Sequence, residues 1–407
     1  MRWEKVTLSD VSSNIQTGPF GSQLHQSDYS DEGVPVIMPK DLVNGHISEK
    51  SAARVSTSHV DRLSRHKIES GDILYSRRGD VGRCALATEM ERGWLCGTGC
   101  LRVTIDRSKA IPEFIFYQLQ KAETIGWVEK HAVGSTMLNL NTAILGNIPI
   151  DLPQIEEQRA IVSILFVYDN LIENNQKQIK LLEEAAQRLY KEWFVDLRFP
   201  GYENTKIVDG VPEGWKDKIV ADLCDTIGGG TPSTKVEEYY RNGTIRWVTP
   251  TDITRKNGLV LLDSEKRITQ EGLQHSSAKI VPPYAILMTS RASVGFFGLC
   301  AHEVCTNQGF ISCIPYKEKY RFYLLYNLMN RVEEIRGKAS GSTFLEIGKK
   351  NFRELHVLLP TDSVLDDFTN RIQPTFQKIE LLTKSIAILQ EARDRLLHKL
   401  MNGELEV

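Results

Sequence analysis

Arg77, Arg78 and Arg83 crowd one short turn, with Lys67 upstream of it and Lys40 in an earlier Pro-Lys-Asp-Leu segment. A guanidinium is a planar fork that matches a phosphate or the edge of a guanine. A second turn of the same kind carries Ser290, Arg291 and Ser293, with Lys279 before it. The plainer alternative is a solvated turn whose arginines pair with Asp72 or Asp80. Two glycine-rich loops accompany these turns, Thr17-Gly18-Pro19-Phe20-Gly21-Ser22 and Ile227-Gly228-Gly229-Gly230-Thr231-Pro232-Ser233. The second lacks the Gly-Lys-Ser/Thr ending of a nucleotide P-loop. Both read either as tight turns or as loops whose backbone approaches nucleic-acid phosphates. Ser22, Thr231 and Thr251 would then be polar contacts.

The constellations that would carry catalysis are weak. Val281-Pro282-Pro283-Tyr284 resembles the Asn/Asp-Pro-Pro-Tyr signature of amino-methyltransferases, but Val281 has no side-chain oxygen to hold a target amine. Cys300, His302 and Cys305 are close in sequence without a second pair at zinc spacing, which predicts a buried structural cluster and no metal site. No His-Glu-x-x-His, no Ser-His-Asp order and no magnesium-type carboxylate cluster stands out. The expectation is a chain without catalytic residues or a cofactor of its own. The rivals are a stand-alone DNA methyltransferase-like enzyme, which cofactor binding by the isolated chain would favour, and a coiled-coil scaffold with no role on DNA.

The elements that position the two arginine turns are written twice. Ile73–Gly82 returns as Ile286–Gly295, 213 positions later. Trp3 answers to Trp215, Pro39-Lys40-Asp41-Leu42 to Pro250-Thr251-Asp252-Ile253, and Gly134-Ser135-Thr136 to Gly341-Ser342-Thr343. After that point the offset is fixed, so Pro153 pairs with Pro360 and Arg188-Leu189 with Arg395-Leu396. Such a period is too long for a solenoid repeat and describes two whole modules in tandem. In the first, 34–38, 73–75 and 100–105 read as strands and 111–121 as a helix opened by Pro112. In the second, 245–248, 286–289 and 310–314 are strands and 323–336 a helix.

Beyond Pro153 and Pro360 the apolar period changes to that of a helix. Ile161, Leu165, Ile172, Ile179, Leu182 and Leu189 form one seam, and Phe368, Ile372, Ile379, Leu382, Ile386 and Leu389 a second. Alternate spacing by four and three over this length is a coiled-coil heptad, and its seam is an interface. Pro374 is expected to kink or interrupt the second helix, and Asn175 and Thr375 to act as polar register markers. The pair is expected to run antiparallel and hold the globular parts apart. The predicted fold class is α+β, with two similar mixed α/β domains separated by two long helices forming an antiparallel coiled coil. The bounds are 1–152 and 200–360 for the domains, 153–199 and 361–407 for the helices.

Composition permits this plan. The 407 residues suffice for two cores, 41% are hydrophobic and 25% charged, and net charge is −2. The helical stretches hold the acidity, so overall charge neither argues for nucleic acid nor excludes it. Seven scattered cysteines and the lack of a long apolar run or signal segment predict a cytoplasmic chain that meets no membrane.

This order of motifs resembles the DNA-specificity subunit of type I restriction-modification systems. The resemblance lies in the Trp-x-x-x-x-Leu start (Trp3–Leu8, Trp215–Val220), the Gly-Ser-Thr turns, the Leu-Pro segments at 152–153 and 359–360, and the helix stretches Ile161–Asp169 and Leu181–Arg188. It implies two target-recognition domains, each reading one half of an asymmetric bipartite site on double-stranded DNA. It also implies a coiled coil that sets the spacing and docks two modification subunits, with restriction subunits joining through the complex. S-adenosylmethionine, ATP and magnesium would then belong to the partners.

Overall fold

The computed structural model describes residues 3–134, 138–255, 258–341, 344–405 and 407. The serine and threonine of both Gly-Ser-Thr turns lie outside the described residues. The chain divides into two compact units, Met1–Asn170 with Gln390–Val407, and Leu171–Leu389.

The first unit is built on an antiparallel four-stranded sheet in the order Ser12–Thr17, Cys100–Ile105, Ile73–Ser76, Cys84–Leu86. The two central strands are almost wholly buried, with Arg102 and Thr104 the polar members of Cys100–Ile105, so their neighbours must cover both faces. The second unit repeats the order as Cys224–Gly228, Phe310–Pro315, Ile286–Thr289, Phe297–Cys300, with Val260–Leu261 added at the edge. Each unit also joins its opening strand to the last strand of its globular part. Glu4–Thr7 pairs with Pro149–Leu152, and Lys216–Ile219 with His356–Leu359. A smaller sheet recurs too, with the parallel pair Val34–Ile37 and Leu95–Cys96 matched by Ile245–Val248 and Cys305–Thr306.

Pro112 occupies the first turn of the helix Pro112–Leu119, where a missing N–H costs nothing. The single helix predicted over 323–336 is two, Tyr320–Asn330 and Val332–Gly337. Arg331 between them sits at φ −116°, ψ 25°, outside the helical region.

The long helices are Ile155–Phe194 and Asp362–Met401, 40 residues each. In the second unit their stretches run antiparallel. Asn175 Nδ2 donates to Ser385 Oγ at 3.1 Å, and further along the Tyr190 ring meets Phe368 at 6.3 Å. In the first unit Arg393 pairs with Asp169 at 2.8 Å, and Ile161, Leu165, Leu400 and Met401 lie in one core. The seam residues Ile161, Leu165, Ile172, Ile179, Phe368, Ile372, Ile379 and Leu382 are buried within the chain. Leu182, Leu189, Ile386 and Leu389 are half-buried. Within each unit these side chains pack on apolar cores of this same chain.

Two expectations for the second helix need correction. The helix is not interrupted at Pro374, which lies inside it. One backbone donor is lost there, but Phe368, Ile372, Phe376 and Ile379 are buried on both sides and hold the helix in place. The seam passes through Phe376 rather than Thr375, because the steps after Ile372 are four and then three residues. Asn175 does sit between the helices, where it meets Ser385. Among the described residues no helix is long and apolar enough to cross a membrane.

Candidate nucleic-acid interface

Both arginine turns leave a buried strand and are clamped by the same set of backbone hydrogen bonds. In the first unit Arg77 N donates to Gly99 O at 2.9 Å, Leu140 N to Arg77 O at 2.8 Å, and Gly79 N to Leu138 O at 3.1 Å. In the second, Ser290 N donates to Gly309 O at 2.7 Å, Ile347 N to Ser290 O at 3.0 Å, and Ala292 N to Leu345 O at 2.8 Å. Arg78 bridges Asn139, and Arg291 bridges Glu346. The turn requires a positive φ in each copy, 75° at Gly79 and 61° at Ala292. An alanine held there costs on the order of 1 kcal/mol. These are rigid loops on a buried scaffold, the usual setting for recognition residues.

The side chains on this scaffold divide sharply. Arg78 is exposed and makes no side-chain hydrogen bond or ion pair among the described residues. Arg77 is half-buried, its guanidinium 5.9 Å from the Phe20 ring, and its Nε is buried with no partner. Arg83 is held by Asp80 at 2.7 Å, as the plainer reading expected, and Lys67 by Asp61 at 3.1 Å. Lys40 Nζ donates to Ser51 O at 2.7 Å. Arg291 lies 3.7 Å from Glu346. Ser22, Ser293 and Lys279 are exposed, and Thr251 is half-buried on the short helix Pro250–Thr254. Thr231 is exposed and its hydroxyl donates to Gln308. Ser290 departs from expectation. It is 3% exposed, because it closes the strand whose backbone the clamp holds, so it faces the interior.

The glycine loops are explained by packing. A Cβ on Gly18 would stand 1.9 Å from Gly97 O, and one on Gly229 2.0 Å from Asn307 O. Glycine is required at both places because two backbones touch. Phe20 and Thr231 each stand two residues after the glycine that makes this contact, and in the second unit the Thr231 hydroxyl reaches Gln308 of the adjoining loop. Each unit thus gathers three loops and an arginine turn at one edge of its main sheet.

The sequence matches the family described as type I restriction modification DNA specificity domain over residues 1–184 and 212–388. This chain belongs to that family. The specificity subunit of the type I restriction enzyme MjaIX of Methanocaldococcus jannaschii is 27% identical, with 100% of this chain and 94% of the relative aligned. The HindI specificity subunit of Haemophilus influenzae is 24% identical over 99% of each. The crystal structure of the type I restriction-modification S subunit from M. genitalium superposes over 98% of this chain and 96% of that one, with a TM-score of 0.57 and 17% identity. The match extends the fold over the whole length.

The buried Cys300–His302–Cys305 cluster expected from the sequence does not form, and the Pro-Pro-Tyr segment packs into its own domain. Val281 is fully buried, and the Tyr284 hydroxyl donates to Glu380 at 3.1 Å on the second long helix, so the Pro-Pro-Tyr segment braces the domain. Cys300 and Cys305 are buried in different cores, whereas His302 is exposed. Burial pushes the Cys300 thiol up to about 11 and the Cys305 thiol up to about 12. Among the described residues no group of three or more His, Cys, Asp or Glu could hold a metal ion. Sequence reading missed three features of the edge: Phe20, Gln308, and the exposed Lys349 and Lys350 that follow the clamp residue Ile347. The run Lys349-Lys350-Asn351-Phe352-Arg353 was a visible signal for the last.

Proposed function

We propose that this chain is the DNA-specificity subunit of a type I restriction-modification complex, itself without catalytic residues. Each domain reads one half of an asymmetric bipartite site on double-stranded DNA. The paired helices set the spacing and dock two modification subunits, and restriction subunits join through them. S-adenosylmethionine, ATP and magnesium act on those partners, in the cytoplasm. The observation that carries the reading is the duplicated clamp, one backbone scaffold in both units with different side chains on it. A shared scaffold with Arg77 and Phe20 in one copy and Ser290 and Thr231 in the other suits one binding mode and two sequences. A palindrome-reading homodimer would present identical edges.

The test exchanges residues 212–360 for the matching part of a relative, assembles the chain with its modification subunits, and maps methylated adenines across a genome. One half-site is expected to change and the other to stay. A change in both halves would refute independent reading. Methyl transfer to DNA by the purified chain alone would refute the non-catalytic role.

A further inference from the structure

Within the specificity reading, the structure also assigns a part of the readout. We infer that Phe20 and Arg77 form one base-reading unit in the first domain, with Arg77 taking the edge of a guanine and Phe20 seated on the C5-methyl of a neighbouring thymine.

Three observations converge on this pair. Phe20 is 52% exposed at a loop tip and belongs to none of the apolar cores. Its ring meets water and the Arg77 guanidinium instead. Arg77 lies over that ring at 5.9 Å and has no hydrogen-bond or ion-pair partner for its guanidinium among the described residues, although its Nε is shut away from solvent. Burial of Nε fixes the guanidinium in place, and its terminal nitrogens, without a protein acceptor among the described residues, are left for a ligand that accepts. The third observation is rigidity. Gly18, two residues before Phe20, is pressed against Gly97, and Arg77 is fixed through its own N–H and C=O. Both side chains start from backbone that cannot wander.

The second domain supplies the contrast. At the matching points it has Thr231 in place of Phe20 and the buried Ser290 in place of Arg77. Its exposed polar group is Gln308, tied to Thr231. Side chains that hold phosphates can stay the same when targets differ, since every sequence has the same backbone. Side chains that read bases must differ. Arg78 and Arg291 are shared between the copies, and the Phe20–Arg77 pair is not. An arginine fork matches guanine O6 and N7, and a phenylalanine ring matches a thymine methyl.

The experiment uses the full chain assembled with its modification subunits. Phe20→Thr and Arg77→Ser, singly and together, import the chemistry of the second domain. Methylation maps and binding to duplexes carrying single base changes are then compared. The expected result is loss of discrimination at adjacent positions of one half-site, roughly tenfold or more at the guanine. The other half-site, read by the same molecules, stays as it was and reports that the complex is folded. An unchanged motif, or equal weakening on all duplexes, would overturn the pairing while leaving the specificity role intact. A wild-type map with no bipartite motif would instead overturn the role itself.

Discussion

Asp169 accepts from Arg393 at 2.8 Å and from the Tyr117 hydroxyl at 2.5 Å in the first unit, at the point where the second unit has Phe376. The duplication places Ala186 opposite Arg393 and Tyr326 opposite Tyr117. In the second unit the Tyr326 ring meets Phe376 edge-on at 6.3 Å and its hydroxyl has no hydrogen-bond partner among the described residues. One copy thus fastens its helices with a half-buried ion pair and the other with rings packed edge to face.

Removing Arg393 leaves the Asp169 carboxylate with only the neutral Tyr117 hydroxyl in a poorly hydrated place. Arg393→Ala should therefore lower stability by about 2–3 kcal/mol, below the full cost of a buried pair because both groups retain some exposure. Asp169→Phe with Arg393→Ala copies the second unit and should cost less than the sum of the two single changes. Denaturant titration of the four proteins checks this. Strict additivity would mean that the pair is not coupled.

A second prediction concerns acid. His66 is buried, and its Nε2 accepts from Arg65 Nε at 3.0 Å. Burial first, and then the Arg65 guanidinium, hold its pKa below the ordinary value. The folded chain thus rejects a proton that the unfolded chain accepts at about 6.5. The stability from a neutral His66 is complete above that pH and is lost as pH falls through the lowered folded value. Thermal melts from pH 8 to pH 5 should show a decline beginning near 6.5. In His66→Asn that part of the decline should vanish, despite a lower melting temperature at pH 8. An unaltered pH profile in the variant would exclude His66 as its source.

The sequence made the large features legible. Apolar strands such as Ile73–Ser76 and Phe310–Pro315 announce themselves by composition, and the heptads by period. The tandem order needed only a comparison of the chain with itself. The repeated turn was legible at Arg78 and Arg291, whose recurrence marks a common position. It was not legible at Ser290, because burial follows from the clamp made by residues 345–347, distant in sequence. Nor was it legible at Phe20. Its neighbour Gly18 looked like a phosphate loop, and only the touching backbones at Gly97 show that the glycine serves packing. Pro374 misled for a related reason. A local rule predicts a broken helix, and tertiary burial on both sides of the proline overrides it.

The spacing role yields a third prediction. The two units divide at Asn170 and at Gln390. One heptad inserted after Asn170 and another after Leu389 keeps the 3.5-residue seam in phase. Each helix lengthens by about 10 Å, and the distance between methylated half-sites should grow by about three base pairs at roughly 3.4 Å each. Methylation mapping reads the spacer directly. A complex that assembles and keeps the original spacer would show that the helices do not measure it.

The last prediction separates Arg78 from Arg291. Both recur on the clamp, so both should hold phosphate rather than read bases. Arg78 has no side-chain partner among the described residues, whereas Arg291 begins 3.7 Å from Glu346 and must give up part of that contact to meet DNA. Half-exposed ion pairs of this length contribute little, so the difference should be modest. Arg78→Ala should weaken binding on matched and mismatched duplexes alike and lower the slope of log affinity against log salt by about one. Arg291→Ala should act in the same direction with a smaller loss, and Glu346→Gln should strengthen binding slightly by releasing Arg291. Fluorescence titrations across salt measure all three. If Arg78→Ala leaves affinity and slope untouched, the repeated arginine is there for the turn. If instead it relaxes the motif at one position, the residue reads a base and the division of labour between Arg77 and Arg78 is reversed.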